Sequence, residues 1–409
     1  MQLVRTISHS GWSPTAIKTV FGCFLANNAV MGIAFGSFGP LLIANEAHLG
    51  VGRGTAAIGM SLISIAAALV AAVTGGMMQR FRARDAMVGG VVLNAIAYFT
   101  LAFTDSYTLF LFSYTLVGAG AALSGILTPL TLVSRWAPQQ RGKALSAVNI
   151  PVVMFACPFL VGIALPEIGR PALLVIFACI FVVLVPLLLL LVKERPAPNA
   201  DGVLPFAPAV ANDGEPARQH ILGTAPFWLI SLGVGILAGC GMVFVVHIAP
   251  FGGMRGLSAV TATALLSIYA GAGLIGTPFF GWAADRFRPA NALVMCSGIQ
   301  ALLWLMLLMV EGPMLLVVAA LMGVCSTPLV ALHGAALSFY FDAATVARAM
   351  GYSYIFKLPM AFALAPAAGA LFEMTGDYRL PFLICSALTT GAALGFLGLA
   401  MRRSRPARS

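Results

Sequence analysis

Gly281-Trp282-Ala283-Ala284-Asp285-Arg286-Phe287-Arg288 and, 206 residues earlier, Gly75-Gly76-Met77-Met78-Gln79-Arg80-Phe81-Arg82 are the two stretches that reveal the architecture. Each closes an apolar run with glycine, then a short turn that ends Arg-Phe-Arg. Two further pairs keep nearly the same offset. Thr128-Pro129-Leu130 returns as Thr327-Pro328-Leu329. Asn149-Ile150-Pro151, followed by Pro158, returns as Lys357-Leu358-Pro359, followed by Pro366, at an offset of 208. One match would be chance; three in register indicate an internal duplication.

The apolar runs around these motifs have membrane length. A helix needs about 20 apolar residues to cross a bilayer. Twelve segments qualify, near 17–43, 55–78, 86–104, 107–133, 144–166, 172–192, 226–251, 261–284, 290–311, 313–340, 348–373 and 380–401. The composition agrees: 60% of the 409 residues are hydrophobic and 9% charged, against about 25% charged in soluble domains. A cytosolic enzyme, a nucleic-acid binder and a disordered chain are excluded. The expected fold is an all-α membrane protein of twelve transmembrane helices in two pseudo-symmetric six-helix halves. Residues 1–192 form the first half and 226–409 the second. Residues 193–225, rich in proline and charge, link them.

The +10 net charge reflects topology rather than nucleic acid. With both termini in the cytoplasm, only Arg53, Arg170, Arg255 and Arg379 fall outside. Eighteen of the 23 basic residues lie inside, the bias expected of cytoplasmic loops. The first apolar run is longer than a signal-peptide core of about 7–15 residues and is expected to remain as a membrane helix. All seven cysteines lie within apolar runs without a CxxC pair, so they read as packing residues, and no metal or cofactor is expected. No G-x-x-x-x-G-K-[ST] loop is present, which disfavours an ATP-driven pump.

Two halves joined by a cytoplasmic linker describe an alternating-access carrier. Over nearly its whole length the chain resembles the major facilitator superfamily, whose G-x-x-x-D-R loop signature is matched by Gly281 to Arg286. The first copy, Gly76 to Arg80, has Gln79 where the family has aspartate. Met31 to Pro40, Arg135 to Ala144 and Thr375 to Arg379 are similar to the oxalate/formate and monocarboxylate branch. That branch carries Arg-Pro late in span 8, where this chain has Thr277-Pro278, and Lys357 matches the lysine of its span 11. The resemblance therefore implies one cation rather than two, and a monoanion rather than a dicarboxylate. It also implies that Gly281, Asp285 and Arg286 gate the cytoplasmic side, with Asp285 accepting from the start of span 5 near Arg141. The weaker first copy would face Arg348 at the start of span 11.

The thirteen acidic residues all fall outside span centres. Three ionisable side chains then remain at depth: Lys357, His333 and His247. A lysine at a helix centre costs about 2.5–3.5 kcal/mol on insertion scales. Its competing readings are snorkelling and burial in the neutral form, and the favoured role is holding a substrate anion. Ser353, Tyr354, Lys357, Ala361 and Ala365 share one helix face, which reads as a small, polar, solvated path. Asn149 is the repeat counterpart of Lys357 and is expected opposite it. His333 is read either as a carrier of a coupling proton or as a packing histidine. His247, close to Pro250, is read as interfacial. One of the adjacent Asn27 and Asn28 should line the path, and Tyr269 offers either a ring contact or core packing. The expected activity is secondary transport of a small organic anion, with no enzymatic step. The protein is expected to act as a monomer in a bacterial inner membrane. The alternatives are an exporter of lipophilic drugs, disfavoured by the lack of a membrane carboxylate, and a non-transporting sensor, disfavoured by the lack of a soluble module.

Overall fold

The computed structural model describes residues 13–75, 82–137, 141–194, 221–341 and 345–401. Gly76, Gln79, Arg80 and most of the 193–225 linker lie outside these residues. The first half contributes α1 (Pro14–Leu49), α2 (Arg53–Gly75), α3 (Ala83–Phe103) and α4 (Tyr107–Trp136). One run of membrane length, Ala144–Leu191, follows; it is interrupted at 149–151 and parted at Gly169 (φ 75°, ψ 168°) into α5 (144–168) and α6 (170–191). The second half contributes α7 (Ala225–Met254), α8 (Ala259–Phe287), α9 (Pro289–Met309), α10 (Met314–Tyr340), α11 (Val346–Thr375) and α12 (Arg379–Met401). Eleven runs among the described residues are long and apolar enough to span a membrane, and the break at Gly169 makes them twelve crossings. The left-handed φ at that position is one that glycine adopts without penalty.

Local chemistry sets the ends. Ser13 caps α1 by accepting from the Ala16 amide at 3.2 Å, and proline occupies the first turn. Gly50, at φ 62°, closes the same helix in a left-handed cap. α1 runs past the expected limit of 43 because its last polar residues find partners. Asn45 accepts from Arg170 at 2.7 Å, and His48 lies 3.0 Å from the Thr104 carbonyl. The Thr-Pro-Leu repeats disrupt their helices in both halves. In α4 a π-helical segment, Ala121–Leu127, precedes Pro129; in α10 the helix stops at Ser326 and restarts at Leu329. Proline removes an amide donor and crowds the carbonyl four residues before it.

α5 departs from the expected continuous span. A short helix, Arg141–Val148, stops before Pro151, and the main helix resumes at Val152. A residue before proline is pushed out of the α region, which accounts for the break at 149–151.

The helices pack through small and apolar side chains, and the outer surface is apolar. Ile275, Leu190 and Met309 are 69%, 71% and 83% exposed. In water, such surface would be an anomaly; against lipid it is the required face. The near end carries Pro14 and Met401. The far end carries the turns at 50–52, 104–106, 255–258 and 376–378. The two halves meet along α2 with α11, α5 with α8, and α1 with α7.

Candidate functional site

The repeat pair at the heart of the sequence reading sits in two different environments. Lys357 is half-buried on α11, and its Nζ lies 3.4 Å from the Tyr354 ring centroid, a cation–π contact. No ion pair among the described residues includes it. Gly235 of α7 makes room for it: a Cβ there would stand 3.1 Å from the Lys357 Cβ. On α10, His333 is buried. Its Nε2 lies 2.8 Å from Ser353 Oγ, its ring centroid is 5.7 Å from that of Tyr354, and its Nδ1 has no partner among the described residues. Lysine, tyrosine and histidine thus form one cluster on α10 and α11.

Asn149 lies at the break in α5 and is exposed. Its Oδ1 accepts from Asn27 Nδ2 at 3.0 Å, and its own amide donates to the Leu145 carbonyl at 2.8 Å. Asn28 does different work. It donates to the Phe24 and Val148 carbonyls and accepts from the Val153 amide at 3.2 Å, bridging the two pieces of α5. No direct contact joins Asn149 to Lys357 among the described residues. Tyr269 is buried, stacked on Phe244 with centroids 4.7 Å apart.

The shared face of α11 is less uniform than its pattern suggested. Tyr354, Lys357 and Ala361 are half-buried, but Ser353 and Ala365 are packed away against His333 and His247. His247 lies toward the far end of α7, packed inside the protein. It is fully buried, with Nε2 2.8 Å from the Ala365 carbonyl and Nδ1 3.1 Å from Tyr378 Oη. A carbonyl can only accept, so Nε2 carries the proton; in the neutral ring, Nδ1 then accepts from Tyr378.

That histidine belongs to a closure at the far end that the sequence reading missed. Arg53, the first residue of α2, donates to Tyr378 Oη at 3.2 Å and to Glu46 at 2.9 Å, and its guanidinium lies 4.0 Å from the Phe372 ring centroid. The Gly54 amide, at the same helix start, donates to Glu373 Oε1 at 2.6 Å. A carboxylate of one half therefore sits at a helix N-terminus of the other, where the dipole is positive. Gly54 permits the approach, since a Cβ would stand 2.7 Å from the Ala370 nitrogen. Acids gathered at the outer ends of the spans were the available signal.

The residues expected to gate the near end are placed differently. Asp285 is exposed and makes no hydrogen bond among the described residues. Gly281 has open space where a Cβ would be. Arg286 is exposed beside Phe287, Arg141 opens the short helix that leads into α5 and ends at Val148, and Arg348 is half-buried in the first turn of α11.

Twelve crossings in two duplicated halves, with a polar cluster at depth and a seam between the halves, define a membrane carrier. The family model of the Major Facilitator Superfamily matches residues 20–313 and 256–409, and the chain belongs to that superfamily of transporters. Human monocarboxylate transporter 12 is 28% identical over 184 residues, which is 43% of this chain and 36% of that protein. An MFS-type transporter of Aspergillus fumigatus is 22% identical over 353 residues, 82% of this chain and 80% of that protein. Among solved structures, a bacterial homologue of the human lysosomal transporter Spinster, inward-facing and unoccupied, has a TM-score of 0.75 at 13% identity. It covers 95% of this chain and 98% of its own. The nucleoside transporter NupG has a TM-score of 0.74 at 15% identity, covering 96% of this chain and 100% of its own. These structural likenesses establish the shared fold. The chain is a transporter and not an enzyme.

Proposed function

We propose that this transporter carries a small organic monoanion, held at Lys357, by alternating access between the halves 1–192 and 226–409. The observation that carries the reading is a lysine deep in α11 with no carboxylate partner among the described residues and with Tyr354 against its Nζ. An unpaired charge at that depth is costly, and a bound anion is its natural complement. A single cation suits one carboxylate. The partial likeness to a monocarboxylate transporter supports the same class. His333, with a buried Nδ1 that has no partner among the described residues, beside the same tyrosine, is suited to a second polar contact with the ligand or to a coupling proton. Asn27 and Asn149 supply neutral amides from the first half.

In this reading the near end is cytoplasmic and the membrane is a bacterial inner membrane. The far-end closure then belongs to an inward-open state, and Asp285 takes up its helix-capping role when the near end closes. The protein works as a monomer, with the bilayer and the anion as its partners.

Thermal unfolding of the purified protein with mono- and dicarboxylates, sugars and cationic dyes tests the reading. Small monocarboxylates should raise the Tm of the wild type, Lys357→Gln should lose that shift while remaining folded, and Lys357→Arg should recover part of it. Stabilisation of Lys357→Gln by the same carboxylate, equal to that of the wild type, would refute the site; a response to dyes alone would favour drug export.

A further inference from the structure

Two serines bridge the halves, and the duplication relates them. Ser61 of α2 is buried, and its Oγ donates to the carbonyl of Phe362 in α11 at 2.6 Å. In an unbroken helix that carbonyl would bond the amide of residue 366, which is Pro366 and has none. The serine of one half therefore takes the acceptor that a proline kink frees in the other. Ser267 of α8 stands 206 residues after Ser61, the same offset that relates the two loop motifs. It too is buried, and its Oγ accepts from the amide of Phe159 in α5 at 3.1 Å. Phe159 follows Pro158, the repeat counterpart of Pro366. Donor and acceptor are exchanged between the two bonds, but the arrangement is the same: a serine of span 2 or 8 against the proline turn of span 11 or 5.

The surroundings repeat as well. Gly54 meets Ala370, and their counterparts Val260 and Gly162 also meet. The Gly54 Cβ position is 2.7 Å from the Ala370 nitrogen, and the Gly162 Cβ position is 3.1 Å from the Val260 Cα. We infer that Ser61 and Ser267 are paired positioning residues of the transport cycle, latches that hold the far end shut by bonding backbone groups at Pro366 and Pro158. Each bond crosses the seam, so each must break when the far end opens. The kinked helix then has to satisfy its own backbone or admit water. The prolines set both where the helices bend and where the halves are fastened.

The test uses the full-length protein in nanodiscs with Cys179, the exposed native cysteine, changed to serine. Spin labels at Glu167 and Met309, both at the far end and in different halves, report its opening by pulsed dipolar distance measurement. Loss of one ordinary hydrogen bond shifts a two-state ratio by roughly fivefold. Ser61→Ala and Ser267→Ala should each raise the long-distance population by about that factor. The double variant should approach the product, and Ser61→Thr, which keeps the hydroxyl, should resemble the wild type. Pro366→Ala supplies the missing amide to Phe362, so Ser61→Ala should have little further effect in that background. Unchanged distances in both alanine variants, a threonine variant that behaves as alanine does, or strict additivity of Ser61→Ala with Pro366→Ala would each overturn the inference. Monodisperse elution and retained helicity of each variant separate a shift in state from a failure to fold.

Discussion

Asn27 and Asn28 are neighbours in the chain with separate tasks. Asn28 satisfies backbone groups on both sides of the break in α5, including the Val153 amide. Removing such a partner from a buried group costs about 1–3 kcal/mol. Asn28→Ala should therefore lower the melting temperature with or without ligand. Asn27→Ala loses one bond to the exposed Asn149 and should cost less stability, while weakening anion binding by a few-fold. Paired melting curves, with and without carboxylate, separate the two. The asparagines were visible in the sequence, but their division was not, because adjacent residues on a helix point about 100° apart whatever they face. The break at Asn149-Ile150-Pro151 decides it, and hydropathy alone reads straight across that break. Lys357 was legible for the opposite reason: a charge within an apolar run needs no structure to stand out. The partners of His247, Tyr378 and the Ala365 carbonyl, were not legible, because they come from residues over 100 positions away.

At the scale of elements, α2 and α11 form the charged seam of the far end. Glu373 receives the Gly54 amide in the first turn of α2, and Arg53 reaches Tyr378 from the same turn. A carboxylate at a helix N-terminus contributes about 0.3–1 kcal/mol when exposed and up to about 2 kcal/mol in partly buried geometry. Glu373→Gln should loosen the far end by a few-fold, and Glu373→Ala should do more. Gly54→Leu should act sterically, because its side chain would collide with α11 near Pro366 and Ala370. The same label pair at Glu167 and Met309 reads both, and a distance distribution unchanged in Gly54→Leu would remove the close approach from the account. The element count and the pairing of halves followed from hydropathy and the three repeated motifs. The seam did not, since contacts between halves join residues some 300 apart and leave no periodic trace.

For the whole molecule, the closure present in this state lies at the far end. Asp285 is exposed while the far end is fastened, so Asp285→Asn should leave this state's stability unchanged and weaken only the state closed at the near end. It should shift the population toward the closed far end, opposite to Ser61→Ala, and the combined variant should return toward the wild-type distance distribution. Orientation is checked separately. In intact cells lacking Cys179, an impermeant thiol reagent should modify Glu311→Cys at the far end and spare Asn291→Cys at the near end. The reverse pattern would invert the topology.

The charged seam has a kinetic corollary. Arg53 has Ala259 as its repeat counterpart, so the guanidinium that ties α2 to Tyr378 has no equivalent where α8 begins. A carrier weighted toward one resting conformer offers its binding site readily to one compartment and rarely to the other. The apparent dissociation constant from the disfavoured compartment equals the intrinsic one divided by the fraction of molecules open to it. One and the same pocket would thus yield two affinities, weaker from the compartment facing the far end than from the one facing the near end. Each contact removed from the far-end seam would bring the two values closer together.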